Sequence, residues 1–162
     1  MITQSELKEL LHYDEFTGDF TWIKKTCRCV RVGKKAGYKD KKYSTLRINN
    51  KQYLAHRLAW LYVNGKFPIG ILDHKDRNGH NNQITNLREA TVSQNAMNAY
   101  RADNIAKCRG VYYESDRQKF RVSVHVNKVR IYIGRFDTLE AAKEARIYFA
   151  KQHHGEFYFD DN

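Results

Sequence analysis

One polar hairpin in the middle of the chain constrains its fold more than any other feature. An apolar run ends in Asp73 and His74, a polar loop follows, and a second short strand begins after Asn86. A capping-box pattern at residues 91–94 then predicts a helix whose first turn holds Asn95. The sequence therefore predicts a strand–loop–strand–helix unit that brings these polar side chains to one point.

The residue types at that point suit the hydrolysis of a phosphodiester. Asp73 and the amide oxygen of Asn95 are the oxygen ligands that a hard cation prefers. His74 can take a proton from water near neutral pH, which makes it the predicted general base. Asn86 is predicted to bridge the loop between Asp76 and Gln83 and so to fix the segment that carries His74.

This hairpin resembles the active site of the HNH (ββα-metal) nucleases, in the variant common in phage homing endonucleases, over about residues 10–100. The resemblance implies that Asp73 and Asn95 hold the metal, that His74 is the base and that Asn86 is the catalytic middle Asn of the motif. Many members have His where this chain has Asn95. An amide oxygen favours Mg²⁺ or Mn²⁺ over zinc or nickel. We therefore expect one divalent cation.

Charge supports a nucleic-acid partner. Lys and Arg total 29 against 18 acids, and residues 23–51 hold eleven bases and one acid. A phosphate backbone attracts such a surface, although a merely soluble basic protein is the competing interpretation. No apolar stretch is long enough for a bilayer, and the first residues lack the pattern of a signal peptide. We expect a cytoplasmic protein, in a bacterial host if phage-encoded, with no membrane partner and no small-molecule cofactor.

The three cysteines do not form a metal-binding pattern. Cys27 and Cys29 are separated by one residue, which is too close for the usual zinc-knuckle spacing, and Cys108 is remote in sequence. We expect reduced thiols and no structural zinc.

The last third of the chain predicts a separate sheet-and-helix module. Three strands, at residues 110–113, 119–126 and 129–133, are followed by a helix that opens with a capping box at residues 137–140. Over about residues 105–159 the segment resembles the ethylene-response-factor (AP-two) DNA-binding domain. The resemblance implies a DNA-facing set, although an ordinary solvated face is the alternative: Tyr112, Arg121, Ser123, Arg130 and Tyr132.

Together these patterns predict an α+β protein, in which a ββα-metal (HNH) nuclease module precedes a three-stranded antiparallel sheet with a helix. The predicted segments are a basic β-rich region 1–52, the nuclease core 53–101, a linker 102–107 and the DNA-binding domain 108–162. The predicted function is site-selective, metal-dependent cleavage of double-stranded DNA by a monomer or homodimer. The alternatives are a non-cleaving DNA-binding regulator or architectural protein, and cleavage of RNA by the same hairpin.

Overall fold

A computed structural model describes residues 1–92, 94–95, 108–126 and 129–158. The chain divides into two compact units, Met1–Thr91 and Val92–Asn162, and each is described by itself. Within the described residues, no helix has the length and apolar character that a membrane crossing requires. The predicted mixed α and β composition is confirmed, as is the presence of a C-terminal sheet with a helix.

The first unit opens with a short helix and a hairpin. Helix α1 (Gln4–Leu10) begins at the predicted capping box, where the Thr3 hydroxyl accepts from the Glu6 amide and the Glu6 carboxylate accepts from the Thr3 amide. The chain then turns directly into strand β1 (Leu11–Asp14), which pairs antiparallel with β2 (Asp19–Trp22). The alternation of half-buried and buried residues turns Phe20 and Trp22 into the core.

A three-stranded sheet and a helix follow. Strands β3 (Tyr38–Lys39), β4 (Ser44–Ile48) and β5 (Lys51–Leu54) are antiparallel, and β4 lies in the middle. Asn49 and Asn50 form the predicted hairpin turn, and both have positive φ, 48° and 61°, as a tight turn of this kind requires. Helix α2 (Ala55–Asn64) begins at once and ends at Gly65, which has φ 76°.

The predicted polar hairpin is present. Strand β6 (Ile71–His74) pairs antiparallel with β7 (Leu87–Ala90), and a single 3₁₀ turn (Ile84–Asn86) leads into β7. Asp73 and His74 therefore end the first strand, as the sequence predicted. The loop between the strands carries most of the polar side chains of the hairpin.

One hydrophobic core joins α1, the N-terminal strands, α2 and β7. Its fully buried members include Leu7, Leu11, Phe20, Leu46 and Leu58, and Leu87 adds the hairpin to the same core. Burial of this apolar surface is the main stabilising contribution. Core contacts thus join residues on both sides of the predicted boundary at residue 52. The division of the chain into segments 1–52, 53–101, 102–107 and 108–162 stays a prediction.

The second unit is a three-stranded sheet covered by a helix. Strands β8 (Val111–Glu114), β9 (Lys119–Val126) and β10 (Val129–Phe136) are antiparallel, with β9 in the middle. Helix α3 (Leu139–His154) begins at Thr138, whose hydroxyl accepts from the Ala141 amide, and ends at Gly155. A small core closes the space between helix and sheet: Cys108, Val111, Val122 and Ala142.

Candidate active site

The hairpin register places Arg88 directly opposite Asp73. The Nε and Nη2 atoms of Arg88 donate to Oδ2 of Asp73 at 2.9 and 2.8 Å. Only 10% of the Arg88 side chain and 6% of the Asp73 side chain are exposed. Taking a carboxylate out of water is costly unless a charged partner and hydrogen bonds compensate, and Arg88 supplies both. Sequence reasoning missed Arg88, although pairing the two strands back from the loop would have placed it there.

His74 belongs to a ring cluster of three side chains, Tyr43, His56 and His74. The His56 and His74 rings meet edge to face with centroids 5.0 Å apart. Tyr43 stacks on His74 at 5.9 Å and contacts His56 at 5.2 Å. Aromatic contacts of this geometry fix the plane of a ring. Tyr43 comes from the loop before β4 and His56 from the first turn of α2, so two distant segments hold the predicted base.

Burial keeps the imidazole of His74 in its neutral form. Only 5% of the residue is exposed, and this burial lowers the pKa of His74 below its usual value, with a hydrogen bond between His74 and the Asn82 side chain acting in the opposite direction. The neutral imidazole is the form that can accept a proton. His74 therefore stands ready as a base at neutral pH.

His56 is as deeply buried as His74. Burial, the neighbouring His74 and Arg57 lower the pKa of His56 to about 3. The residue is 5% exposed, and its Nδ1 atom has no hydrogen-bond partner within the described part of the chain. His56 is consequently a neutral packing residue of the ring cluster.

The low pKa of His56 predicts a loss of stability in acid. Above pH 6.5 the residue is neutral in both states. Between pH 6.5 and about 3, His56 is protonated in the unfolded chain but stays neutral in the folded protein. The free energy of unfolding therefore falls as the pH falls. From pH 7 to pH 5 we expect a loss of about 2 kcal/mol from this residue. Urea unfolding of His56→Phe should show a shallower dependence on pH, whereas a variant of the exposed His12 should match the wild type; an unchanged slope in His56→Phe would contradict the argument.

Asn86 ties the two ends of the polar loop together. Its Oδ1 atom accepts from the backbone amide of Asp76 at 3.1 Å, and its Nδ2 donates to the Asp76 carboxylate and to the Asn81 carbonyl, both at 2.9 Å. Its own carbonyl accepts from the amide of Lys75 at 2.9 Å. The predicted bridge across the loop between Asp76 and Gln83 is thus present in the structure, with Asp76 and Asn81 as its partners. These bonds fix the backbone immediately after His74.

Two glycines let neighbouring segments approach this loop closely. A Cβ atom at Gly79 would collide with the carbonyl of Lys42 and the ring of Tyr43. A Cβ atom at Gly18 would lie 2.5 Å from the backbone nitrogen of Gln83, and Gly18 has φ 75°. Both sites therefore favour glycine. The polar loop is held from outside as well as by Asn86.

Asn95, the second predicted metal ligand, is helical and half-buried. It belongs to the second unit, so its meeting with Asp73 stays a prediction. The donor set, a carboxylate oxygen and an amide oxygen, fits a hard divalent cation, whose remaining positions water and phosphate oxygens commonly fill. Among the described residues no group of three or more His, Cys, Asp and Glu side chains could hold a metal ion.

The predicted DNA-facing residues of the second unit share one face of its sheet. The strand register pairs Tyr112 with Arg121, Tyr132 with Ser123, and Arg130 with His125. Arg121, Ser123 and His125 are alternate residues of β9. Side chains at directly paired and alternate positions point the same way. The opposite face carries Val111 and Val122 and is covered by α3. We call the uncovered side the basic face.

An acidic residue organises the basic face, and sequence reasoning missed it. Glu114 accepts from Nε of Arg135 at 2.7 Å and pairs with Arg121 at 3.2 Å. The hydrogen bond from Arg135 holds the pKa of Glu114 below its usual value. Arg130 donates to the Ser123 hydroxyl at 3.1 Å and lies over the ring of Tyr112. These contacts hold the guanidinium groups in place.

The hairpin combines a buried carboxylate at Asp73, the adjacent imidazole of His74 and a loop held in place by Asn86. Residues 53–97 match the family model described as HNH endonuclease. The chain is also 33% identical over 104 residues to an uncharacterized HNH endonuclease of Acanthamoeba polyphaga mimivirus, an alignment that covers 63% of this chain and 54% of the relative. The chain therefore spans about half the length of that relative.

These two matches confirm the prediction that the chain contains an HNH endonuclease domain. The matched residues include β6, the pinned loop and β7, and they extend back to α2, which carries His56. No solved structure matches the chain.

Proposed function

We propose that this protein is a divalent-metal-dependent endonuclease that cuts double-stranded DNA at preferred sites. The observation that carries the proposal is the end of β6, where the buried Asp73, held by Arg88, is followed by His74. His74 packs against the rings of Tyr43 and His56 and directly precedes the loop that Asn86 holds. A carboxylate that binds a metal ion and an imidazole that takes a proton from water can act on the same phosphate when they belong to adjacent residues. The matches to HNH endonucleases support the same reaction class.

In the proposed mechanism an imidazole nitrogen of His74 removes a proton from the attacking water. Arg88 orients the carboxylate of Asp73, and Asn86 keeps the backbone beside His74 from moving during the reaction. A divalent cation held by Asp73 and Asn95, Mg²⁺ or Mn²⁺, would supply charge stabilisation at the phosphate and at the leaving 3′ oxygen. The expected products carry 5′-phosphate and 3′-hydroxyl ends.

The finer parts of the proposal concern substrate and setting. The net charge of +11 supports a polyanionic partner. The basic face, with its arginines and tyrosines, supports an AP-two-like module that reads DNA, and the likeness to phage genes supports a homing-type enzyme working in the cytoplasm. Tyr112 and Tyr132 lie at positions where the plant domains tend to carry Arg or Trp. The base preference of the plant domains therefore does not carry over to this chain.

The test is incubation of supercoiled phage or host DNA with the purified protein and Mg²⁺, followed by mapping of the ends. We expect nicked or linear DNA with a small set of cut sites, and no cutting in EDTA. Binding without cutting at any divalent metal would favour the non-cleaving regulator, and faster cutting of an RNA of the same sequence would favour a ribonuclease. The mapped ends also show whether one strand or both are cut.

The two proposed ligands make separable contributions to metal dependence. Asn95→Ala should raise the Mg²⁺ concentration for half-maximal cutting on the order of 10–100-fold, the usual cost of weakening a metal site. Asp73→Asn should raise it further, because it removes an anionic ligand. Metal titrations at fixed DNA measure both, and thermal unfolding controls for the loss of the pair with Arg88. An Asn95→Ala titration that overlays the wild type would remove Asn95 from the site.

A further inference from the structure

Cys27 and Cys29 lie together in a single exposed turn of the basic loop. The backbone amide of Val30 donates to the carbonyl of Cys27 at 3.1 Å, which closes the turn. Both thiols are exposed, and their Sγ atoms are 2.7 Å apart. The turn is anchored nearby, where the amide of Trp22 donates to the carbonyl of Lys34 at 3.0 Å. The backbone therefore presents the two sulfurs side by side.

The spacing of these residues is compatible with a covalent bond between them. Consecutive Cα atoms are about 3.8 Å apart, so residues i and i+2 within a turn are separated by about 5–7 Å. A disulfide needs Cα atoms roughly 4.4–6.8 Å apart and sulfurs about 2.05 Å apart. The two thiols of this turn would close that gap by moving less than about 1 Å. Backbone rearrangement on the scale of the whole loop is unnecessary.

The surroundings favour thiolate chemistry at Cys27. A hydrogen bond with Cys29 lowers the pKa of the Cys27 thiol, while the same contact raises the pKa of Cys29. Arg28 lies between the two residues, and Arg47 lines an open cavity of about 480 Å³ beside both cysteines. The opening gives a small oxidant access to both thiols. One sulfur is thus set up to react first and the other to follow.

We propose that Cys27 and Cys29 form an oxidisable dithiol, a modification site for hydrogen peroxide and related peroxides that closes to an intramolecular disulfide. The Cys27 thiolate attacks the peroxide, the O–O bond breaks, and Cys27 becomes a sulfenic acid as hydroxide leaves and takes up a proton. Cys29 then attacks that sulfur, the S–O bond breaks and water leaves. In sum two thiols lose two electrons and two protons, and one peroxide becomes two waters.

Cys108 provides an internal contrast. It is only 6% exposed and packs in the core of the second unit with Val111, Val122 and Ala142. Buried thiols in apolar surroundings are poor nucleophiles because burial disfavours the thiolate. Oxidation should therefore leave Cys108 as a thiol in the folded protein, and its replacement should not alter the reaction of the turn.

The sequence itself supplies a sharp test, because trypsin cleaves after Lys25, Arg28 and Arg31. The folded full-length protein is treated with hydrogen peroxide, alkylated in denaturant and digested without reduction. We expect the intact mass before alkylation to fall by about 2 Da, and one alkylated cysteine in place of three afterwards. The tripeptides 26–28 and 29–31 should appear as one disulfide-linked species, and dithiothreitol should separate them.

Three serine variants complete the design. Cys108→Ser should still lose about 2 Da, whereas Cys29→Ser should stop at a Cys27 sulfenic acid that dimedone traps. Cys27→Ser should react more slowly with peroxide than Cys29→Ser. Separate tripeptides that each carry sulfinic acid, or covalent dimers on a non-reducing gel, would overturn the proposal. None of these readouts depends on nuclease activity, so a failure here and a failure of the proposed function are distinguishable.

Discussion

His74→Ala is expected to lower the rate of DNA cleavage on the order of 10²–10⁴-fold, the usual contribution of a general base. DNA affinity should stay within about twofold, because a base that acts on water stabilises the transition state more than the bound ground state. Single-turnover cleavage and equilibrium binding, each measured with Mg²⁺, give the two quantities. The expected pattern is therefore a protein that binds normally and does not cut.

The ring cluster makes a control necessary. Removing His74 leaves a space against Tyr43 and His56, so part of any effect could come from disturbed packing. His74→Gln keeps most of the volume and should be nearly as inactive, and thermal unfolding reports the cost of each change in stability. His12→Ala, at an exposed position of β1, should cut like the wild type. A well-folded His74→Gln variant that turns over at the wild-type rate would show that His74 is not the base.

The site shows where reasoning from sequence succeeds. Asp73 and His74 end one strand and Asn86 lies in the turn before the next, and these placements follow from local patterns. Turn and cap chemistry is equally local, so Asn49–Asn50 and Thr3–Glu6 were predicted at the residues where the structure has them. The N-cap of α3 is Thr138, one residue after Asp137, which opened the predicted box at residues 137–140. Such features depend on neighbours within a few positions.

The contacts that sequence reasoning missed join distant segments. Tyr43 and His56 reach His74 only because the N-terminal sheet and α2 pack in the same core as the hairpin. Gly18 and Gly79 are needed only where one backbone approaches another. Charge counting across residues 23–51 predicted a basic region but could not show that Cys27 and Cys29 would be brought into contact there. Periodicity and capping carry no information about which segments meet.

Removing the residues after Asp103 is expected to lower affinity for the preferred site on the order of 10³-fold, the lower end of the usual gap between specific and non-specific binding. The unit 1–91 keeps its own core, together with Asp73 and His74, so weak metal-dependent nicking should persist. Its remaining contacts would be phosphate contacts from the basic tract 23–51. The residual binding should therefore weaken steeply with salt.

Point variants in the full chain locate this effect on the basic face. Arg121→Ala and Arg130→Ala should each cost about 1–3 kcal/mol of discrimination if they read base edges, and should relax the choice of cut site. Lys143→Ala removes the same charge from α3, which packs on the other side of the sheet, and should change affinity little. Sequencing the ends cut by each protein in a pooled DNA library measures the preference. If the chain ending at Asp103 cuts the same sites as the full protein, site recognition must lie within residues 1–103, and the basic face would serve another purpose.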